Sequence, residues 1–240
     1  METISKKQNQ ITFKAEIGES LGNAIRRYVN QIPIAAIDEV EISKNDSPLY
    51  DETIAHRIGL IPLEMDKSLK EGSEVKVTLS SDKEGSVYSG EIKGKAKVVY
   101  NKIPITVLNK GQEIELTGIV RLGRGKEHAK FSPGMMFYRE VVDVKIDKDC
   151  PKEIVDVCPK HLLKVEGDKV VIKDVLKCDM CEICLEECAK KGKKAISISP
   201  SGEIMITLES FGQMDVKEIF PKAAEALKKD LLDFAKKATK

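Results

Sequence analysis

FKAEIGESLGNAIRRYVNQIPIAAIDEVEISKNDSPLYDETIAHRIGLIPL, residues 13–63, places a strand, a helix, a second strand and a short helix in one unbroken segment. ITFKAEI, 11–17, alternates apolar and polar side chains, the period of a half-buried strand. Ser20 offers an N-cap, and Leu21, Ala24, Ile25, Tyr28, Val29 and Ile32 then recur at helical spacing. Asn30 to Pro33 close that helix. IAAIDEVEIS, 34–43, returns to strand character, KNDSP at 44–48 has the chemistry of a turn, and Asp51 can cap a helix ETIAHRIGL that stops before Pro62.

Working outward, residues 74–122 change character. EVKVTLS, GSVYSGEI, KAKVVY, ITVL and EIELTGIVRL are short β-rich runs between Gly, Asn and Lys, which predicts a β-dominated domain. GRGKEHAKFSPG, 123–134, reads as a loop and REVVDVKI, 139–146, as a strand. AISISPSGEIMITLES, 195–210, reads as strand, Ser-Gly turn, strand. Residues 216–238 form an amphipathic helix, with Pro221 assigned to its first turn and Phe220, Ala223, Leu227, Leu231, Phe234 and Ala238 in one stripe. At 1.5 Å per residue such a helix is on the order of 33 Å long, and its stripe needs a surface to bury it.

The chain has 240 residues, which suits one large or two modest domains, and a 41% hydrophobic share can build a real core. Its 40 basic and 39 acidic side chains leave a net charge of +1, which argues against binding nucleic acid through bulk charge. Trp is absent and aromatic residues are few, so base-stacking platforms are not expected. METISKKQNQ lacks the apolar core of a signal peptide, and no apolar run long enough to span a membrane occurs. The expectation is a cytoplasmic, reducing location, where clustered cysteines serve as ligands more readily than as disulfides.

KCDMCEICLEEC, 177–188, spaces its cysteines as Cys178-x2-Cys181-x2-Cys184-x3-Cys188. That run resembles the ligand loop of bacterial ferredoxins, in which the fourth cysteine of a run ligates the other cluster. Cys158, followed by Pro159, matches the cysteine that the other run would lend. Cys158, Cys178, Cys181 and Cys184 are therefore expected to hold the iron of one cluster, [4Fe-4S] or [3Fe-4S]. Zinc on the same four thiolates, and a disulfide-bonded or vestigial loop, are the competing readings. A second cluster would need cysteines where the chain has Lys148, Pro151 and Ile154. Cys150 and Cys188 are left over. The three histidines are scattered, GRGKEHAK is not a phosphate-binding loop, and no acid–base constellation emerges, so no catalytic residue is expected.

The segment quoted first, taken with GKEHAKFSPG at 125–134, resembles the α-like subunits of multisubunit RNA polymerases: the LGNAIRR helix, the IPIAAIDEVEI strand and the DETIAHRIGLIPL helix follow that family's order. A ferredoxin-like insertion before the last strand and helix is similar to what many archaeal members carry. The resemblance implies an α+β fold in three parts. These are a discontinuous dimerisation domain (1–42 and 202–240), a β-rich insert domain (43–148) and a ferredoxin-like iron–sulfur insertion (149–201). It implies a non-catalytic assembly subunit of the nucleotidyltransferase complex. Such a subunit pairs with a small α-like subunit (archaeal subunit L), then supports the large subunits and a small zinc-binding one, and meets DNA only through the assembled enzyme. Leu21, Ile25, Arg26, Arg27, Phe220, Leu227, Leu231 and Phe234 would form its interfaces, Arg26 and Arg27 facing the large subunits. An electron-transfer protein with extra domains is the alternative that the cysteine run alone supports.

Overall fold

The computed structural model describes residues 2–65 and 69–239. In chain order these form β1 (Glu2–Lys6), β2 (Gln10–Ala15), α1 (Glu19–Tyr28), β3 (Pro33–Asn45), α2 (Asp51–Gly59), β4 (Val75–Ser81), β5 (Gly85–Tyr88) and β6 (Lys93–Gly94). They continue with β7 (Pro104–Leu108), β8 (Ile114–Arg124), β9 (Gly134–Ile146), β10 (Leu163–Glu166), β11 (Lys169–Ile172), α3 (Ile183–Lys190), β12 (Ile196–Ser210) and α4 (Val216–Ala238). The class is α+β, and the described residues fall into two compact units.

One unit takes its described residues from Met1–Ser5, Thr12–Asn23 and Phe137–Thr207. Its sheet runs β1-β2-β12-β9. Lys14 on β2 bridges Glu2 at 3.1 Å and Glu203 at 3.2 Å, tying two strands by charge as well as by backbone. Gly22 on α1 is required by close packing, since a Cβ there would stand 2.5 Å from the Ile204 side chain. The antiparallel β10–β11 hairpin and α3 enclose a small core in which Ile154, Leu163, Val170 and Ile196 are buried.

The other unit takes its described residues from Lys6–Ile11, Ala24–Met136 and Leu208–Lys240. Its main sheet runs β3-β8-β4-β6, with β5 and β7 as a separate pair. Ile37, Ile54, Ile58, Leu63, Leu79 and Ile114 are buried at its centre. The register of β3 on β8 slips between Ile37 and Glu39, which makes Asp38 the extra residue of a bulge. Its carboxylate is thereby aimed at Arg121 and Lys130, both of which pair with it. Burial works against that charge, but the two cations together hold the Asp38 carboxyl below its usual range. The same cations flank the buried ring of Phe131, at 4.9 and 5.2 Å from its centroid.

Several local expectations are corrected. α1 starts at Glu19, so Ser20 lies inside the first turn instead of capping it. Asp51 is the first residue of α2, and its carboxylate accepts from Asn45 Nδ2 at 2.7 Å, drawn back to the preceding turn. Residues 196–210 are one strand, not two, because β12 is paired on both sides; Gly202, at φ 84°, absorbs an irregularity without reversing the chain. Pro221 is the sixth residue of α4, not part of its first turn, so the Lys217 carbonyl lacks its usual helical donor. The helix start belongs to Asp215, whose side chain accepts from Lys217 N at 2.9 Å. Of KAKVVY, only an isolated bridge from Val98 to Leu63 is sheet-like.

Candidate metal centre and interface residues

Cys158 ends a 3-10 turn at Lys152–Val157, and Pro159 follows it. Its carbonyl accepts from His161 N at 2.9 Å and its Sγ from Leu162 N at 3.4 Å. Cys178 ends a second 3-10 turn, Val175–Lys177, that the Asp174 carboxylate caps through Leu176 N at 3.1 Å. Cys181 lies between Met180 and Glu182, and Cys184 sits in the first turn of α3. Cys158, Cys178, Cys181 and Cys184 line one cavity, whose remaining wall is mainly apolar: Val144, Leu163, Ile172, Ile196 and Ile198. The four residues expected to be ligands are thus brought to one place by separate segments of chain.

The backbone around that cavity is strained. His161, Met180 and Glu182 have φ of 51°, 56° and 59°, which costs an L-residue about 1–2 kcal/mol each. Such outliers collect where a site over-determines its backbone, and left-handed residues next to right-handed ones turn successive amides towards a common point. Burial pushes the Cys184 thiol up, the Leu185 backbone amide pulls it back in part, and Cys178 and Cys181 add to the rise. Thiolates crowded in an apolar cavity need a cation to become the stable form, and a metal supplies one. As the side chains stand, no three His, Cys, Asp or Glu groups among the described residues are gathered at ligating distance.

Cys150 and Cys188 do not line the cavity. Both are buried in the neighbouring apolar core with Ile154 and Ala195, and all six cysteines are free. Burial first, then Cys188, raises the Cys150 thiol. They act there as small apolar side chains.

Sequence reading passed over Arg139. It stands in the middle of β9, with nothing in the pattern REVVDVKI to single it out, yet it donates to the backbone of the cysteine loop. His128 accepts from Lys130 N at 3.2 Å and so caps a 3-10 turn, a structural task. GKEHAKFSPG is likewise explained by packing. A Cβ on Gly125 would meet Asn30 at 2.7 Å, one on Gly134 would meet the Glu209 carbonyl at 2.1 Å, and Ser132 Oγ donates to Asn30 Oδ1 at 2.9 Å.

The expected interface residues divide. Ile25 and Leu227 are buried inside the chain, Phe220 is half-buried, and Leu21, Arg26 and Arg27 are exposed. On α4, Val216, Ile219, Ala223 and Leu227 bury one stripe over the first three turns. Past Asp230, which accepts from Tyr28 Oη at 3.0 Å, the helix is uncovered: Leu231, Leu232 and Phe234 are 58%, 52% and 70% exposed. Among the described residues no helix is long and apolar enough to cross a membrane.

Comparison with known proteins agrees with this architecture. The family model described as the RNA polymerase Rpb3/RpoA insert domain matches residues 40–138. DNA-directed RNA polymerase subunit Rpo3 of Thermococcus kodakarensis is 33% identical over 93% of this chain and 92% of its own length. The subunit of the same name from Pyrococcus furiosus is 34% identical over 95% and 92%. That of Archaeoglobus fulgidus is 32% identical over 95% and 93%. Similarity at this level along nearly the whole length of both partners means that the chain belongs to the archaeal Rpo3 family, the α-like subunits of DNA-directed RNA polymerase.

Proposed function

We propose that the chain is a non-catalytic assembly subunit of a DNA-directed RNA polymerase. It pairs with a small α-like subunit, and the pair is the platform on which the large subunits and a small zinc-binding subunit gather. The observation that carries this reading is end-to-end similarity to proteins named as that subunit. The uncovered end of α4 supports it, because an apolar helix end in a chain of balanced charge suits burial against another helix. In this reading the dimerisation domain is 1–42 with 202–240, the insert domain 43–148 and the ferredoxin-like part 149–201. Leu21, Leu231 and Phe234 meet the small partner, and Arg26 and Arg27 face the large subunits. Nothing in the relatives supports the stand-alone electron carrier, since they are named as polymerase subunits over the length that includes the cysteines.

Cys158, Cys178, Cys181 and Cys184 hold one iron–sulfur cluster in the same reading, supported by their shared apolar cavity and the left-handed residues around it. When bound, the cluster supplies a covalent cross-link among separate segments of the chain. The chain's own part is to place four sulfurs, exclude water with Val144, Ile172 and Ile196, and hold the loop backbone.

Co-expression with the small α-like subunit tests the assembly role. A stable 1:1 heterodimer is expected, and Leu231→Asp with Phe234→Asp should abolish it. A chain that stays monomeric beside its partner removes the proposal. Anaerobic purification with iron, sulfide and zinc analysis tests the cluster: iron and sulfide without zinc are expected, and zinc alone would overturn it.

A further inference from the structure

Three consecutive carbonyls in the cysteine loop are each held by a cationic side chain. Arg139 on β9 donates through its two terminal nitrogens, one to the Leu176 carbonyl and one to the Cys178 carbonyl at 2.8 Å. The carbonyl between them, that of Lys177, accepts from Lys160 Nζ at 3.3 Å. Lys160 also pairs with Asp179 at 2.7 Å, and it stands two residues after Cys158. Every peptide plane from Leu176 to Asp179 is therefore fixed by a group outside the loop.

We propose that Arg139 is the positioning residue of this loop: its fork holds the Leu176 and Cys178 carbonyls, fixes where the Cys178 sulfur points, and so sets how tightly the cavity keeps iron. The inference rests on the cluster reading above. Residues 178–182 lie outside any helix or strand and include two left-handed residues, so no ladder of their own holds them. Arg139 is anchored in a sheet strand instead, and its Nη2 also lies 3.5 Å from the Met205 sulfur on β12. A planar guanidinium can fix two carbonyls at once in a set relative orientation. A lysine ammonium in its place is a point charge that can satisfy one. Groups that orient ligands without touching the metal commonly change metal affinity about 10–100-fold when removed. Lys160 does a smaller part of the same work, linking the Cys158 segment to the 178–184 run.

The test uses the full chain with its small partner, reconstituted anaerobically with iron and sulfide, in wild type, R139Q, R139K and K160M. Iron release to a chelator is followed in each. R139Q should release iron about tenfold faster than wild type, with R139K and K160M between the two. In the metal-free proteins, amide exchange over residues 176–182 should be faster in R139Q, while the melting temperature stays close to wild type. Wild-type iron release together with unchanged exchange in R139Q overturns the proposal. So does a large fall in the metal-free melting temperature, because that assigns Arg139 a general structural role. An R139Q chain that does not fold counts as that fall and overturns the proposal in the same way. If wild type takes up no iron, the cluster reading fails by itself. The exchange of the metal-free loop then decides whether Arg139 holds it.

Discussion

Among the described residues, fifteen buried apolar side chains around Ile37, Ile54 and Leu79 close the core beside the β3-β8-β4-β6 sheet, whereas the core beside the cysteines has seven, two of them Cys150 and Cys188. The first region completes itself. Its bulged Asp38 meets two cations, both of which stand over its Phe131 ring, and Gly123 leaves room for that ring. The second region has a mainly apolar cavity lined by four cysteines, three left-handed non-glycine residues and a loop whose carbonyls are held from outside. Burial alone can fold the first region; the cysteine region is arranged to be finished by something bound.

That contrast can be broken experimentally. The largest effect is expected from losing the proposed ligands. Cys181→Ser with Cys184→Ser should eliminate iron retention and sacrifice binding free energy on the order of 10 kcal/mol, the scale of small metal-dependent domains. Region-resolved hydrogen exchange should show residues 149–196 loosened and 75–124 unchanged. Equal loosening of both would remove the distinction. Next in size is Phe131→Ala, which should cost roughly 3–5 kcal/mol in denaturant unfolding of the first region and leave iron content intact. Asp38→Asn should cost about 2 kcal/mol, since it strands Lys130 and Arg121 without an anion in a site where Asp38 is only 17% exposed.

The pH dependence follows from the same group. Its folded carboxyl titrates below the unfolded value of roughly 4, so its contribution is full above about pH 4 and is lost as pH falls through the lower folded value. Asp38→Asn should flatten that acid limb in a thermal-melt series, and an unchanged limb would assign it to other carboxylates. The smallest effect concerns backbone strain. Met180→Gly should be more stable than Met180→Val by about 1 kcal/mol in the metal-free protein, and equal melting would show that the left-handed turn carries no strain.

How much of this could be read in advance differs by region as well. Regular periodicity made α4 legible to the residue, alternation marked β2, and β-rich runs between turn residues marked β4 and β8. Cysteine spacing named Cys178, Cys181 and Cys184, and the resemblance to a ferredoxin run added Cys158 before Pro159; the four line one cavity. The Asp38–Lys130–Arg121 cluster and the Arg139 tie were not legible. Both join residues far apart in sequence through a bulge register or the pairing of strands, and neither leaves a local pattern. Ser20 was misplaced by two positions and Asp51 by one because several polar residues stand at the helix starts and only geometry selects among them. The Ser-Gly pair at 201–202 carries the chemistry of a turn, but strands on both sides of β12 override it.

The last two turns of α4 have a consequence for the economy of the cell. Leu231, Leu232 and Phe234 are placed where neither this chain nor water suits them. A copy made in excess of its proposed small partner carries a permanent adhesive end, and it will meet other excess copies or a protease. If the proposed pairing holds, a surplus of this chain over its partner is the surplus that exposes this apolar end.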